Sequence, residues 1–354
     1  MVTSYLFNPE NDVALASGLR NYTPPSAAAA LALSGAMLPW WLGAPGDAVL
    51  VPRGLLDEAR RWAEATAECF GEGPRPVVTL AGIDAVEPWG WSAYTLRLLE
   101  KAGCPEALLR RHSSRIEVHR QFSHRRTAAE VLRRLGNNSV AEARSWLEVE
   151  RFAAVHPAFY LKAPWSSSGR GVFRSIGNLR ELAEGIIRRQ GSVMLEPAYD
   201  GVQDFAMLFR ADGAGAVRFE GYSLFDTEGT PSYTGNRLLT DDNIEACIAG
   251  YVGREKLTKL REQVAGALGE TATAHGYRGP LGVDMLVYRS TGGYAVAPCL
   301  EVNCRYTMGF VAHALVKRGL RGRMTAIPDG SPLPGGAVLL SPAGGSYRFV
   351  ALPH

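Results

Sequence analysis

The chain has few cysteines, a small net charge and no long uninterrupted apolar run. Its five cysteines are scattered over 354 residues and none falls in a CxxC spacing. This argues against a disulfide framework or a zinc site and favours a reducing compartment. The net charge of +3 is too small to indicate nucleic acid or an anionic membrane as a partner.

The longest apolar run lies near residues 27–43 and is interrupted by Ser34, Gly35 and Pro39. It is short for a bilayer span, so we interpret it as a buried helix. The first ten residues lack the basic region of a signal peptide. Together with the cysteine usage, these features predict a cytoplasmic protein with no membrane partner.

Two common nucleotide-binding motifs are also missing. No GxGxxG follows the first predicted strand, which argues against a doubly wound, dehydrogenase-like chain. No GxxxxGK[ST] motif of the Walker A type is present either. The composition, 46% hydrophobic and 21% charged, is that of a globular protein long enough for two or three domain-sized units.

The order of strand and helix signals changes along the chain. Residues 1–115 alternate strands and helices, which predicts a parallel α/β sheet. The first strand covers residues 4–7, and Asn8 followed by Pro9 predicts a helix start with Asn8 as N-cap. Residues 116–190 are rich in helix around one hairpin, and the chain from 191 onward is rich in strand.

The strongest chemical signal is a polar row near residue 300. Alternation along a strand places Glu301, Asn303 and Arg305 on one face. A turn near residues 291–293 would bring Asp284, on the preceding strand, beside Glu301. Carboxylate and amide oxygens suit Mg²⁺, and an adjacent arginine suits an anion. The alternative is a solvent-facing polar row on an edge strand.

A loop of small residues, 166–171, lies between two strand signals and follows Lys162. Small residues let the backbone approach a ligand closely, and successive N–H groups in a turn can hold an anion. A lysine on the preceding strand would add a point charge for phosphate. A surface turn with no ligand is the alternative.

The order of these motifs resembles the ATP-grasp superfamily, which includes biotin carboxylase and D-alanine–D-alanine ligase. The resemblance covers about residues 116–310. It implies an α/β protein in which a Rossmann-like N-terminal domain, 1–115, precedes two α+β subdomains that clasp ATP. The smaller of these, 116–190, would form a lid, and the larger would comprise residues 191–354.

The resemblance also implies roles for particular residues. The nucleotide would be held by Lys162, Ser166, Ser167, Ser168, Gly169, Gly171, Glu196, Asp204 and His124. Mg²⁺ would be bound by Asp284, Glu301 and Asn303. The residues implied in catalysis are Arg305, Lys162 and Arg237, with Tyr233 as a further candidate near substrate. His124 falls nearest the position of a second phosphate-binding lysine in the family, and Arg125 is the alternative there.

By the same resemblance, the reaction would consume ATP with Mg²⁺. A substrate carboxylate would become an acyl phosphate, and an amine would displace phosphate. The partners would be small-molecule carboxylates and amines, and a homodimer is open because family ligases are often dimers. The alternatives are a small-molecule kinase of the same fold and a non-catalytic nucleotide-binding protein.

A second polar cluster follows the first predicted strand. It contains Asn8, Glu10, Asn11 and Asp12, at the end of the sheet where open α/β folds bind ligands. In the resembled family this domain often helps to bind the acceptor substrate. Helix capping and a solvated first turn are the alternative.

Overall fold

The computed structural model describes residues 1–166, 171–227 and 233–353. Its sixteen strands in this part of the chain are β1 Thr3–Leu6, β2 Ala48–Leu50, β3 Arg75–Val77, β4 Ala85–Pro88, β5 Ala141–Ala143, β6 Phe159–Lys162, β7 Val172–Arg174, β8 Val193–Pro197, β9 Gly201–Ala211, β10 Val217–Thr227, β11 Tyr233–Leu238, β12 Gly279–Ser290, β13 Gly293–Asn303, β14 Gly322–Pro328, β15 Val338–Leu339 and β16 Tyr347–Leu352.

The α-helices of the described residues number twelve. They are α1 Asn11–Ser17, α2 Ser26–Ser34, α3 Leu56–Phe70, α4 Ala93–Lys101, α5 Glu106–Ser113, α6 Ile116–Phe122, α7 Arg126–Arg134, α8 Trp146–Val155, α9 Leu179–Gln190, α10 Asp241–Val252, α11 Arg254–His275 and α12 Met308–Lys317.

These elements form two compact units that do not follow chain order. The first unit contains Met1–His119, Thr234–Thr240 and the chain from Arg305 onward, and the second contains Arg120–Tyr233 and Asp241–Cys304. The three-part division at residues 115 and 190 stays a prediction. The predicted α/β class is confirmed.

The first unit contains the parallel sheet that the alternating signals predicted, in the order β3-β2-β1-β4. Strand β4 was missed, because it has only four residues and is followed directly by Trp89, Gly90 and Trp91. Strands β2 and β3 are added on one side of β1, and β4 is added on the other side. The direction in which strands are added to the sheet therefore reverses between the positions of β1 and β4. Such a switch point opens a crevice at the carboxyl ends of the strands.

Two local predictions in this unit were wrong. The helix after β1 begins at Asn11 with Glu10 as its N-cap residue, two positions later than the Asn8–Pro9 signal indicated. The apolar run does not form a buried helix, since Ser34 is the only buried residue of α2. The alanine-rich helix α2 is half exposed. The buried part of the apolar run is instead a short 3₁₀ helix, Leu38–Trp41.

The C-terminal strands also belong to the first unit. Strands β11, β14, β16 and β15 are hydrogen-bonded in that order, and all their pairings are antiparallel. The Trp41 indole donates to the Leu340 carbonyl at 2.9 Å, and Phe349 meets Phe7 edge to face at 6.4 Å. The two ends of the described chain therefore share one core.

The second unit contains two antiparallel arrays. One has the order β13-β12-β9-β10, with α10 and α11 packed against β10. The other, β5-β8-β6-β7, is covered by α8 and α9 and has its own core around Leu161, Val193 and Leu195. The hairpin that joins β12 to β13 turns at Thr291-Gly292, as predicted.

Candidate functional site

The polar row lies on the face of the β12–β13 pair, in the second unit. Asp284 pairs directly with Glu301, and Gly282 with Asn303. Opposed residues of an antiparallel pair project to the same face. The Asn303 amide Nδ2 donates to Asp284 Oδ2 at 2.9 Å, and all three side chains are half-buried. The predicted juxtaposition is therefore present, while metal binding by these residues stays a prediction.

A buried arginine joins this row to the small-residue loop. Arg125 Nη2 donates to both carboxylate oxygens of Glu301, at 3.0 and 2.9 Å. Its Nη1 donates to the Ala163 carbonyl at 2.8 Å and to the Ser166 hydroxyl. The Arg125 side chain is only 5% exposed. The start of α7, the loop and β13 thus meet at one guanidinium.

Lys162 forms the second charged contact of the site. Its Nζ donates to Glu196 Oε2 at 2.7 Å and lies 3.5 Å from the Leu300 carbonyl. Lys162 and Glu196 are both buried, on neighbouring strands β6 and β8. A buried cation needs such a charged partner, because desolvation alone would favour its neutral form. The contact with Leu300 places this pair one residue from Glu301.

Cys299 provides a separate indication that these charges converge. Burial raises the pKa of the Cys299 thiol well above its usual value, and the negative charges of Glu196, Asp284 and Glu301 raise it further. The positive charge of Lys162 acts in the opposite direction. All four ionised side chains therefore lie within electrostatic range of one buried sulfur atom.

The donor set at this site fits Mg²⁺. Asp284 and Glu301 supply carboxylate oxygens, and Asn303 uses Nδ2 toward Asp284, so Oδ1 is the amide atom that can bind a metal. Among the described residues, no group of three or more His, Cys, Asp or Glu is placed to hold a metal ion. Two carboxylates and an amide leave positions for phosphate oxygens and water, which is how Mg²⁺ is usually bound.

The two candidates for the second phosphate contact are in different environments. His124 is 3% exposed and packs edge-on against Trp165 at 4.6 Å. Burial, with the Arg126 charge as the next largest cause, lowers the pKa of His124 to about 4, so the ring is neutral at pH 7. The backbone N–H of Arg126 donates to its Nδ1 at 3.0 Å. The Arg125 guanidinium contacts Ser166 of the loop, which favours Arg125 over His124 for an anion.

The small-residue loop is described only at its two ends. Ser167, Ser168 and Gly169 lie outside the described residues. Trp165 anchors the first end, since its indole donates to the Arg120 carbonyl at 2.9 Å. At the other end, Gly171 has φ +79°, and its carbonyl accepts from the Ala163 N–H at 2.7 Å. The loop therefore has a fixed base next to Arg125.

Asp204, the predicted ribose ligand, lies on β9 directly opposite Leu286 of β12. Leu286 is two residues from Asp284, so the Asp204 side chain shares the face of the metal row. It is half-buried. Its role toward a ribose stays a prediction.

The two predicted catalytic arginines belong to the first unit. Strand β13 ends at Asn303, so strand alternation does not extend to Arg305. Arg305 instead pairs with Asp12, with Nε 3.0 and 2.9 Å from the two carboxylate oxygens and Nη2 2.8 Å from Oδ2. Arg237 lies in β11, opposite Arg323. The catalytic roles of Arg305 and Arg237 stay predictions.

Solved structures share this architecture. A biotin carboxylase from Campylobacter jejuni aligns over 99% of this chain and 87% of its own, with 13% identity and a TM-score of 0.52. A pyruvate carboxylase from Rhizobium etli aligns over 99% of this chain and 36% of its own, with 15% identity and a TM-score of 0.50. The chain therefore has the ATP-grasp fold that its motifs predicted.

Comparisons by sequence add nothing to this. No family model matches the chain, and no curated protein matches it. Within the described ranges, no helix has the length and apolar character needed to cross a membrane.

Proposed function

We propose that this protein is an ATP- and Mg²⁺-dependent ligase. It activates a substrate carboxylate as an acyl phosphate, and an amine then attacks the acyl carbon. ADP and phosphate are the other products. The fold is that of proteins such as the Campylobacter jejuni biotin carboxylase, which was solved as a beta-gamma-ATP complex.

One observation carries the proposal: buried Arg125 and buried Lys162 both contact β13 beside the paired Asp284 and Glu301, through the Glu301 carboxylate and the Leu300 carbonyl. Arg125 and Lys162 bring two positive charges, and Glu196, Asp284 and Glu301 bring three negative ones. The formal charges of these five side chains sum to one negative unit, which favours the binding of a divalent cation. A bound divalent cation in turn attracts phosphate oxygens as further ligands. A solvent-facing polar row would not place a buried lysine and a buried arginine against the same strand.

Each residue then has a distinct task. Lys162 and the N–H groups of the loop would hold the phosphates, with Arg125 at the loop base. Asp284, Glu301 and Asn303 would hold Mg²⁺, which neutralises phosphate charge when bound. Arg305 would bind the charge that develops on the acyl group, and Arg237 would position substrate. Catalysis would come mainly from positioning and charge neutralisation.

The test is the identity of the product. The protein is incubated with Mg²⁺·ATP, carboxylates and hydroxylamine, which converts an acyl phosphate into a hydroxamate. Free phosphate formed together with hydroxamate supports the ligase. A stable phosphoester formed from a hydroxyl compound, without free phosphate, would identify a kinase and overturn the proposal.

Glu301→Gln provides the matched variant. It keeps the shape of the side chain but removes one charge from the metal row. We expect turnover to fall by about two orders of magnitude, the scale of losing one preorganised electrostatic contact. Glu181→Gln, on the exposed side of α9, is the control and should keep wild-type turnover. Normal turnover in Glu301→Gln would contradict the metal assignment.

A further inference from the structure

The Glu301 carboxylate has a cationic partner in this structure. Arg125 Nη2 lies 3.0 and 2.9 Å from its two oxygens, so one guanidinium engages both. The Arg125 side chain is 5% exposed and that of Glu301 is 29% exposed. The guanidinium is therefore withdrawn from solvent, whereas the carboxylate is still partly open to it.

A divalent cation would be a stronger partner for this carboxylate than the guanidinium is. Asp284 lies directly across the strand pair from Glu301, so a second carboxylate is within reach of the same ligand. The Lys162 ammonium group is held by Glu196 at 2.7 Å. A divalent cation can bind the two carboxylates of the row together and carries twice the charge of Arg125.

The cation and the guanidinium would compete at this place. Both would lie against the Glu301 carboxylate, where like charges a few ångströms apart repel each other. The burial of Arg125 keeps water from screening that repulsion. Binding of a divalent cation by Glu301 therefore weakens or opens its ion pair with Arg125.

Arg125 is held at the small-residue loop independently of Glu301. Its backbone N–H donates to the Pro164 carbonyl at 3.0 Å, and its Nη1 donates to the Ala163 carbonyl at 2.8 Å and to the Ser166 hydroxyl. Its Nε is buried and has no hydrogen-bond partner among the residues that the structure describes. A buried donor without an acceptor is costly, and a phosphate oxygen is an acceptor that guanidinium groups bind well. Arg125 thus has a fixed base and an unused donor for contact with a phosphate.

We propose that Arg125 competes with the divalent cation for the Glu301 carboxylate and, once released from Glu301, binds the phosphates of the nucleotide. The inference rests on the ligase function proposed above, which assigns the metal to Glu301. The ion pair must open for the cation and for the phosphates, and it opens once for both, so each favours the binding of the other. A single ion pair thereby favours the metal–nucleotide complex over free nucleotide and over free metal.

The test measures the affinity for Mn²⁺, which takes the same oxygen ligands as Mg²⁺, on the full chain without nucleotide. Electron paramagnetic resonance reports the concentration of free Mn²⁺. Arg125→Gln releases the Glu301 carboxylate, so we expect the affinity to rise by at least about fivefold, the lower end of coupling between linked sites. Loss of structure would instead lower it. Arg125→Lys keeps the charge but lacks the planar fork that holds both oxygens, so the affinity should rise there too, by a smaller factor.

Arg126→Gln is the matched control, because it removes the same charge at the next residue, where Nη2 contacts Glu142 at 2.7 Å. Its Mn²⁺ affinity should equal that of wild type. Unchanged or weaker affinity in both Arg125 variants would overturn the proposal and indicate a permanent ion pair. An equal rise in Arg126→Gln, or a rise confined to Arg125→Gln, would overturn it too, because charge alone would then account for the result. Hydroxamate formation by wild type reports separately on the ligase proposal, so that either can fail alone.

Discussion

Glu301 and Glu10 have the same side chain and different environments. Glu301, a member of the metal row, receives two hydrogen bonds from the Arg125 guanidinium. Glu10 Oε2 has no partner in the described residues, and burial raises the pKa of Glu10 to about 7. The first environment places a cationic donor against the carboxylate, and the second favours the protonated carboxyl group.

The raised pKa of Glu10 predicts how stability depends on pH. The folded state resists ionisation of this carboxyl, so its contribution is fully favourable below the unfolded pKa of 4.5 and is lost as pH rises toward 7. A pKa that rises from 4.5 to about 7 corresponds to about 3 kcal/mol at about 1.4 kcal/mol per unit. Glu10→Gln, which cannot ionise, should therefore be more stable than wild type at pH 8, by up to that amount.

The measurement is urea unfolding of wild type and Glu10→Gln at pH 5 and pH 8. The difference in the free energy of unfolding between Glu10→Gln and wild type should be larger at pH 8 than at pH 5. Glu58→Gln, an exposed glutamate of α3 in the same unit, is the control and should show no such growth. If the free energies of unfolding of wild type and Glu10→Gln differ by the same amount at both pH values, Glu10 ionises normally in the folded protein.

Among the elements, the longest and most regular ones were predicted best. The long strands β12 and β13 pair through a turn near residues 291–293 as expected, although β13 ends at Asn303 and does not extend to Arg305. Short elements such as β4 and α5 were missed, because few residues carry their periodicity. Helix α1 was placed two residues early, since a proline at position 9 does not show whether the helix begins there or after a further turn.

In the candidate site, the residues that pair across strands could be predicted from the sequence. Which of two neighbouring side chains contacts the loop could not. The hairpin geometry was enough to place Asp284 beside Glu301. Which of His124 and Arg125 points to the loop depends on the packing of Trp165, a contact 41 residues away in sequence from His124. Strand alternation also did not indicate that β13 ends before Arg305.

The loop base offers a test at the scale of elements. Gly171 has φ +79°, and an added Cβ atom would meet Ser166 Cβ at 3.0 Å and Ala163 Cβ at 3.1 Å. Gly177 has φ +82° and nothing within 4 Å of its Cβ position. Alanine at either position costs about 1–2 kcal/mol from the backbone alone. Only Gly171→Ala should also displace Ser166 and weaken Mg²⁺·ATP binding, measured by calorimetry. Equal nucleotide affinity in the two variants would contradict a role for this loop base.

On the scale of the molecule, the first unit draws on both ends of the described chain. Phe349 of β16 is 4% exposed and meets Phe7, the residue after β1. The Trp62 indole, on α3, also donates to the Leu339 carbonyl at 3.0 Å. The parallel sheet is therefore stabilised by a strand that lies about 340 residues further along the chain.

This arrangement predicts that Phe349→Ala destabilises the N-terminal sheet. Truncating a buried phenylalanine costs about 3–5 kcal/mol. Hydrogen exchange should show lost protection in β1 and β2, although the substitution lies in β16. Tyr347→Ala, at an exposed position of the same strand, should leave that protection unchanged. Protection lost only in β14 and β16 would show that the two segments do not share one core.

The most direct test of the central claim is calorimetry of ATP with Mg²⁺ on wild type and on Lys162→Ala. Removing a charged hydrogen bond to phosphate costs about 1.5–3 kcal/mol, so we predict that affinity falls by at least about tenfold. Lys256→Ala, on the exposed side of α11, should bind as wild type does. Mg²⁺-dependent binding that is weakened only in Lys162→Ala would support the nucleotide site. No ATP binding by wild type, or equal ATP affinity in Lys162→Ala and Lys256→Ala, would contradict the nucleotide site.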